Sequence, residues 1–226
     1  MDVFIKSTKF PLEKDGNILG IQWPGLTAYL DVFSELAYAI WNFGLNVLFG
    51  YMPFDGIWLS MDEPTNFCVD STGKPIGECY KAPTATKTEA TVATESNTSK
   101  KPPSPVQAGE FDDIPFLPDG EPLDSNTLSM DAYFTDNNDN KTFVMYNLHN
   151  LYATLLMNVT YRYMTAENMS KMRHFMISRG SFVGHGRFGT VYTSENKATF
   201  EDLSLSMHQV MAFNMFGIPF VGSDIC

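Results

Sequence analysis

The sequence predicts an α/β fold, because stretches with the apolar spacing of helices alternate with short apolar strands. A second observation points to a barrel edge: the apolar strand at residues 56–59 runs into small polar and acidic residues and then into a proline. Barrel strands deliver carboxylates to their C-terminal mouth in this way. The content of 44% hydrophobic and 14% aromatic residues in a chain of 226 is ample for a core.

The first predicted elements occupy residues 1–67, which are apolar with short breaks. Residues 21–30 predict a turn that leads into a helix around residues 32–48. A strand is predicted next, at residues 57–61.

Residues 68–140 differ in character and predict a loop-rich insertion. The part at 81–107 is rich in Thr, Ala, Lys and Pro and has no apolar periodicity, which is typical of a solvated surface loop. A substrate-specific lid is the alternative role for it. Residues 136–140 begin like a calcium loop but lack its glycine and glutamate at the sixth and twelfth positions. No metal site is therefore predicted.

Regular patterns resume at residue 141. Residues 146–162 have helical apolar spacing, and a short strand is predicted at 175–178. A second helix is predicted at 202–216, and the methionines of both helices are predicted to fill a core. A strand at 218–222 then ends at Asp224. This alternation predicts parallel βα units.

Composition and glycosylation sequons limit the cell compartment and the classes of partner that we expect for this chain. The 26 acidic and 15 basic residues give a net charge of −11, which argues against a nucleic-acid partner. No apolar run is long enough to predict a membrane span. The chain opens without a secretory signal, so a lumenal protein of this sequence is expected to be a piece of a longer one. Four sequons nevertheless favour a glycoprotein of the secretory pathway, whether lumenal, lysosomal or extracellular: Asn97, Asn140, Asn158 and Asn168.

Three cysteines are present, and two of them flank a short polar loop. Cys68 and Cys79 could close a small disulfide in an oxidising compartment. The cysteines and histidines have no metal-ligand spacing, so a zinc site is not expected.

A glycine-rich stretch at residues 184–191 matches the kinase pattern G-x-G-x-x-G-x-V. A kinase also needs a downstream lysine, a His-Arg-Asp loop and an Asp-Phe-Gly motif, and none follows. In a dinucleotide fold the glycines would open a helix, whereas Thr-Val-Tyr-Thr follows Gly189. Nucleotide binding is therefore not predicted.

Five blocks of the sequence together indicate a family. Residues 58–64 read Trp-Leu-Ser-Met-Asp-Glu-Pro, residues 177–188 read Ile-Ser-Arg-Gly-Ser-Phe-Val-Gly-His-Gly-Arg-Phe, and residues 218–226 read Ile-Pro-Phe-Val-Gly-Ser-Asp-Ile-Cys. Residues 23–28 and 146–152 match more loosely. In this order the blocks resemble glycoside hydrolase family 31, the α-glucosidase family. The resemblance implies part of a (β/α)8 TIM barrel with a long loop insertion.

The implied organisation has three parts. Residues 1–67 are a barrel segment with the nucleophile-position strand, and residues 68–140 are the insertion. Residues 141–226 are a barrel segment with the acid/base-position loop, and flanking barrel segments are missing from this chain. The resemblance implies a carbohydrate partner, an α-glucoside or glycan, and no cofactor.

The resemblance also assigns roles to individual residues. Ser60 stands where the family has its nucleophilic aspartate, and Glu195 stands at the acid/base position. Asp62 follows as a possible substitute nucleophile, although it would be displaced by about 6–7 Å along the strand. Five further residues match substrate-binding positions: Trp58, Met61, Arg179, Tyr192 and Asp224.

Three functional hypotheses follow. The family hydrolyses terminal α-linked glucose residues with retention, so the chain is first a degenerate or partial α-glucosidase, impaired because a serine hydroxyl is a poor nucleophile without a base. The second is a carbohydrate-binding pseudoenzyme that keeps Arg179 and Asp224, or a non-functional fragment of a larger glucosidase. The third is a working hydrolase that uses Asp62 and Glu195. For Trp58 the alternative is core packing, and for Arg179 and Asp224 it is an internal ion pair.

Overall fold

The computed structural model describes residues 3–8, 15–67, 111–112, 123–136, 141–166, 173–194 and 196–224. In chain order the elements are β1 (Leu19–Gln22), β2 (Gly25–Ala28), α1 (Glu35–Tyr51), β3 (Gly56–Leu59), β4 (Tyr133–Asp136), β5 (Lys141–Val144), α2 (Met145–Leu148), α3 (Tyr152–Met164), β6 (Phe175–Ser178), β7 (Thr190–Tyr192), α4 (Phe200–Met215) and β8 (Val221–Gly222).

The central feature is a parallel sheet in the order β3-β6-β7-β8. Strand β3 pairs with β6 from Gly56 opposite Phe175 to Leu59 opposite Ser178. Helix α3 lies in the connection from β3 to β6, and α4 lies in that from β7 to β8. These parallel strands and helices confirm the predicted α/β class and form part of an α/β barrel.

Two antiparallel hairpins accompany the sheet, one before β3 in the chain and one between β3 and β6. Strands β1 and β2 form one, and β4 and β5 form the other. The turn predicted at residues 21–30 is confined to residues 23–24, because strands β1 and β2 occupy most of that stretch. Its reversal uses Gly25 at φ +110°, a conformation that favours glycine. The hairpin of β4 and β5 and the short strand β7 were not predicted.

Several boundaries differ from the prediction for local reasons. Helix α1 begins at Glu35 rather than near residue 32, because Ser34 is extended and its hydroxyl accepts the Ala37 N–H at 3.3 Å. Helix α4 begins two residues earlier than predicted, after the cap at Thr199. The helix predicted at 146–162 is divided into α2, a 3-10 turn and α3. The strand at 175–178 is confirmed, whereas β8 has only two residues.

Two apolar clusters hold these elements together. One joins the N-terminal strands to the β4–β5 hairpin, and its fully buried members include Ile5, Ile18, Leu128 and Phe134. The predicted insertion at 68–140 therefore contains a buried part at its C-terminal end. The other cluster lies between the sheet and helices α1 and α3, and its buried members are Leu45, Leu59, Leu156, Met157, Tyr163, Met164 and Met176.

Helix α4 contrasts with these clusters because none of its residues is buried. Its methionines were predicted to fill a core, yet Met207, Met211 and Met215 are 58%, 57% and 86% exposed. In the described ranges, no helix has both the length and the apolar character needed to cross a bilayer.

A glycine substitution tests the pairing of β3 with β6. A Cβ on Gly56 would lie within 3 Å of the Phe175 carbonyl oxygen of the neighbouring strand, so we expect Gly56→Ala to lower the free energy of unfolding by about 1–3 kcal/mol. The matched control is Gly44→Ala in α1, where a Cβ meets nothing within 4 Å. That change should be neutral or stabilising by up to about 1 kcal/mol. Equal effects in a urea titration would contradict the strand register.

Candidate functional site

The predicted site residues lie at one edge of the parallel sheet. Ser60 follows β3, Arg179 follows β6, Tyr192 ends β7 and Asp224 lies two residues after β8. The carboxyl ends of parallel strands share an edge, so four separate sequence blocks contribute to one rim. This rim is where barrel enzymes place their catalytic groups.

Ser60 and Tyr192 meet across the intervening strand. The Ser60 Oγ lies 3.2 Å from the Tyr192 hydroxyl, and Ser60 is exposed whereas Tyr192 is 4% exposed. Trp58 stands edge-on to Tyr192 with ring centroids 5.0 Å apart. Because Trp58 is 56% exposed, core packing does not explain it in the described part of the chain. Two hydroxyls and an open indole make a polar and aromatic surface suited to a sugar.

Asp62 is oriented differently from Ser60. The chain leaves strand geometry after Leu59, and Met61 has φ +55°, so the predicted strand at 57–61 ends two residues early. Asp62 is 7% exposed, and its Oδ1 accepts the Gly180 N–H at 2.9 Å. Burial raises the pKa of the Asp62 carboxyl to about 6, against an ordinary 3.8, and the nearby Glu63 carboxylate also raises it.

Arg179 is held by two residues that the sequence analysis did not single out. Its Nε and Nη2 donate to the two carboxylate oxygens of Glu63 at 2.7 and 2.9 Å. Its guanidinium carbon lies 5.4 Å from the centre of the Trp23 ring. The ion-pair interpretation of Arg179 is therefore supported, with Glu63 as the partner. The position of Glu63, directly after the strand-end residues, is the signal that could have identified it.

A buried polar chain lies beneath Arg179. The Ser178 hydroxyl donates to the Gly180 carbonyl at 2.9 Å, and His185 Nε2 lies 3.1 Å from Ser178 Oγ. His185 Nδ1 lies 3.2 Å from Thr154 Oγ1 on α3. Burial lowers the pKa of His185, so the ring is neutral near pH 7. The glycine-rich stretch at residues 184–191 forms a 3-10 turn followed by strand β7. Its glycines do not open an α-helix.

Asp224 lies apart from these contacts. It is exposed and lines a cleft of about 400 Å³ between the start of α4 and the end of β8, together with Asn196, Lys197 and Phe200. In the ranges that the structure covers, no group of three His, Cys, Asp or Glu side chains could hold a metal ion.

Several predicted residues fall outside the described ranges: Glu195, Cys68, Cys79, Asn97, Asn140 and Asn168. Asn158 lies within α3 and is half-buried. The backbone next to the acid/base position is described, and Ser194 has φ +75° there.

The raised pKa of Asp62 predicts a pH-dependent stability. Since the folded pKa exceeds the ordinary value, the folded state holds the proton more tightly, and stability falls as pH rises from about 4 to about 6. We expect Asp62→Asn to raise the free energy of unfolding at pH 8 by up to about 3 kcal/mol. The gain should shrink below pH 4. Asp55→Asn, at an exposed position before β3, should show no such pH-dependent gain in denaturant titrations.

Comparisons with known proteins show which family model, relatives and solved structures this chain resembles. The family model described as the glycosyl hydrolases family 31 TIM-barrel domain matches residues 2–226. The lysosomal alpha-glucosidase of Bos taurus is 30% identical over 212 residues, which are 92% of this chain and 18% of that protein. The glucosidase II alpha subunit in its alpha3-Glc2-bound form has a TM-score of 0.60 at 22% identity. The ER glucosidase II heterodimeric complex has a TM-score of 0.61 at 21% identity.

Each of the two solved structures is covered over 18% of its chain, against 99% of this one. The chain therefore spans about a fifth of the length of these relatives. At this identity the two structures establish the fold.

Proposed function

The chain belongs to glycosyl hydrolase family 31, and from that premise we propose that it binds α-glucosides at this rim but hydrolyses them little or not at all. The observation that carries the proposal is the position of Ser60. It is exposed at the carboxyl end of β3, where the family has its nucleophilic carboxylate, and the Tyr192 hydroxyl is its hydrogen-bonding neighbour.

The chemistry supports low turnover. A retaining glycosidase needs two carboxyl groups about 5–5.5 Å apart, one as nucleophile and one as acid/base. A serine hydroxyl is weakly nucleophilic unless a base removes its proton, and the neighbour of Ser60 is the hydroxyl of Tyr192 rather than a histidine or a carboxylate. The Ser60–Tyr192 pair can therefore form hydrogen bonds with a sugar, but it supplies no nucleophile that could displace the leaving group.

The hypothesis that Asp62 replaces the nucleophile is disfavoured by its surroundings. A nucleophile must reach the anomeric carbon, whereas Asp62 is 7% exposed and its Oδ1 is bonded to Gly180. Met61, directly before Asp62, has a left-handed backbone with φ +55°, and the chain leaves strand geometry there. Glu195, at the acid/base position, would then lack a partner carboxylate.

The binding groups are the stronger part of the proposal. Trp58 gives an open aromatic surface, Arg179 carries a fixed guanidinium, and Asp224 presents an exposed carboxylate. Sugars are recognised by such combinations of aromatic faces and planar hydrogen-bonding groups. The four sequons and the lysosomal and ER relatives support a place in the secretory pathway.

The barrel itself is proposed to be completed by further βα units. A parallel sheet is normally covered on both faces and closed at its edges. Here Phe200 and Met215 of α4 are 91% and 86% exposed. Flanking segments like those of the longer relatives would bury these side chains.

Binding of 4-nitrophenyl α-glucoside by the longest polypeptide that contains this chain tests the proposal. Ligand-observed NMR should detect the α-anomer with a lower Kd than the β-anomer, which serves as the matched control. Circular dichroism on the same sample establishes that the protein is folded. A folded protein that binds neither anomer, or both equally, would overturn the proposal.

A further inference from the structure

Two adjacent acidic residues, Asp62 and Glu63, bind two adjacent residues of the segment that carries Arg179. Glu63 holds the Arg179 guanidinium through two bonds of 2.7 and 2.9 Å, and Asp62 holds the Gly180 N–H at 2.9 Å. Both acids belong to the loop after β3, and Arg179 and Gly180 belong to the loop after β6. Side chain and backbone of one segment are thereby fixed to the same loop.

The Gly180 peptide is also fixed from its other sides. Its carbonyl accepts from Ser178, which is buried and linked to His185. A Cβ on Gly180 would collide with the Ala153 Cβ of α3 and lie 3.2 Å from Asp62 Oδ1, so the Gly180 backbone is closely packed between α3 and Asp62. Small residues allow such close approach. Of these contacts, the bond from Gly180 to Asp62 can be removed by substituting a single side chain.

We infer that Asp62 is a positioning residue: by accepting the Gly180 N–H it holds the neighbouring Arg179 in the orientation that meets a sugar. The inference rests on the proposed function for the sugar contact itself. It gives Asp62 a task that suits its burial, since the residue acts through Arg179 and touches no substrate. A buried carboxylate accepting a backbone N–H makes a strong, short-range restraint.

Two substitutions of Asp62 are expected to have different effects. Asp62→Asn keeps an acceptor oxygen at the Oδ1 position, whereas Asp62→Ala removes it and leaves the Gly180 N–H unsatisfied. Ala should therefore loosen the segment, and Asn should preserve it. Because Asn also preserves the volume of Asp62, the test against simple space filling is Asp62→Leu, which keeps most of the volume but has no acceptor and is expected to behave like Asp62→Ala.

The experiment compares these variants in the longest polypeptide containing the chain. Hydrogen exchange by mass spectrometry follows the amide of Gly180, and NMR titration with 4-nitrophenyl α-glucoside gives the Kd. We expect Asp62→Ala to speed exchange at Gly180 and raise the Kd by about tenfold each. Asp62→Asn should stay within about threefold of the unaltered protein. If Asp62→Ala fails to fold, Ser178→Ala, which releases the Gly180 carbonyl, is expected to raise both quantities in the same direction.

Each outcome has a defined meaning. Unchanged exchange at Gly180 in Asp62→Ala overturns the inference, and so does faster exchange with an unchanged Kd. An Asn variant as impaired as the Ala variant assigns the effect to charge and also overturns it. If the unaltered protein binds no glucoside, the proposed function fails and takes the positioning role with it, while the exchange data still report whether the Asp62–Gly180 contact exists.

Discussion

Replacing Ser60 by aspartate is expected to raise the release of 4-nitrophenol from 4-nitrophenyl α-glucoside by about 10³-fold or more over the unaltered chain, given how much a missing nucleophile costs an enzyme. The change puts a carboxylate on an exposed position at the carboxyl end of β3. The Tyr192 hydroxyl, 3.2 Å from the present Ser60 Oγ, can donate a hydrogen bond that holds the new carboxylate. Progress curves at fixed substrate concentration give the rate.

The matched control for this prediction is Ser60→Asn. Asparagine has nearly the shape of aspartate but cannot form a glycosyl ester, so its rate should equal that of the unaltered chain. A gain in both variants would mean that shape rather than a nucleophile was lacking. If neither variant releases 4-nitrophenol, in folded protein with added flanking segments, the defect lies in the loop that contains Glu195.

Removing the partner of Arg179 is expected to have the second large effect. Glu63→Ala removes the carboxylate that holds the guanidinium of Arg179, whose side chain is only 20% exposed, and we expect a loss of about 1–3 kcal/mol in the free energy of unfolding. Affinity for 4-nitrophenyl α-glucoside should fall about tenfold, because the two bonds that fix the orientation of the Arg179 guanidinium are lost. Denaturant titration and NMR titration measure the two effects.

An ion pair on the surface of the same chain supplies the control. Glu35 and Arg162 lie 3.5 Å apart with side chains 62% and 45% exposed, so Glu35→Ala should cost less than about 0.5 kcal/mol and leave affinity unchanged. If both substitutions have the same small effect, the Glu63–Arg179 contact has no organising role at the rim.

Local patterns in the sequence predicted the parts of the fold that depend on local physics. The strand at 175–178 is bounded by polar residues and has the short apolar run of a buried strand. The helices near α1, α3 and α4 were found because apolar spacing of three and four residues persists over three or more turns. Their ends were misplaced where a single capping side chain, such as Ser34, decides the first turn.

Other features depend on contacts that have no local signature. Strand β7 has three residues and is a strand because β6 and β8 lie beside it, and propensity alone does not specify so short a segment. At the site, the sequence identified Arg179 but missed Glu63, 116 residues away, because only the parallel pairing of β3 with β6 brings them together. The burial of Asp62 is likewise set by Gly180 and α3.

The most direct test of the central claim follows binding and turnover of 4-nitrophenyl α-glucoside in one sample of the unaltered protein, in the longest polypeptide that contains the chain. Ligand-observed NMR reports binding, and absorbance reports 4-nitrophenol. We predict saturable binding with no release above that of a protein-free blank. Saturable release of 4-nitrophenol that Asp62→Asn abolishes would contradict the account, because it would make Asp62 the nucleophile of a working hydrolase.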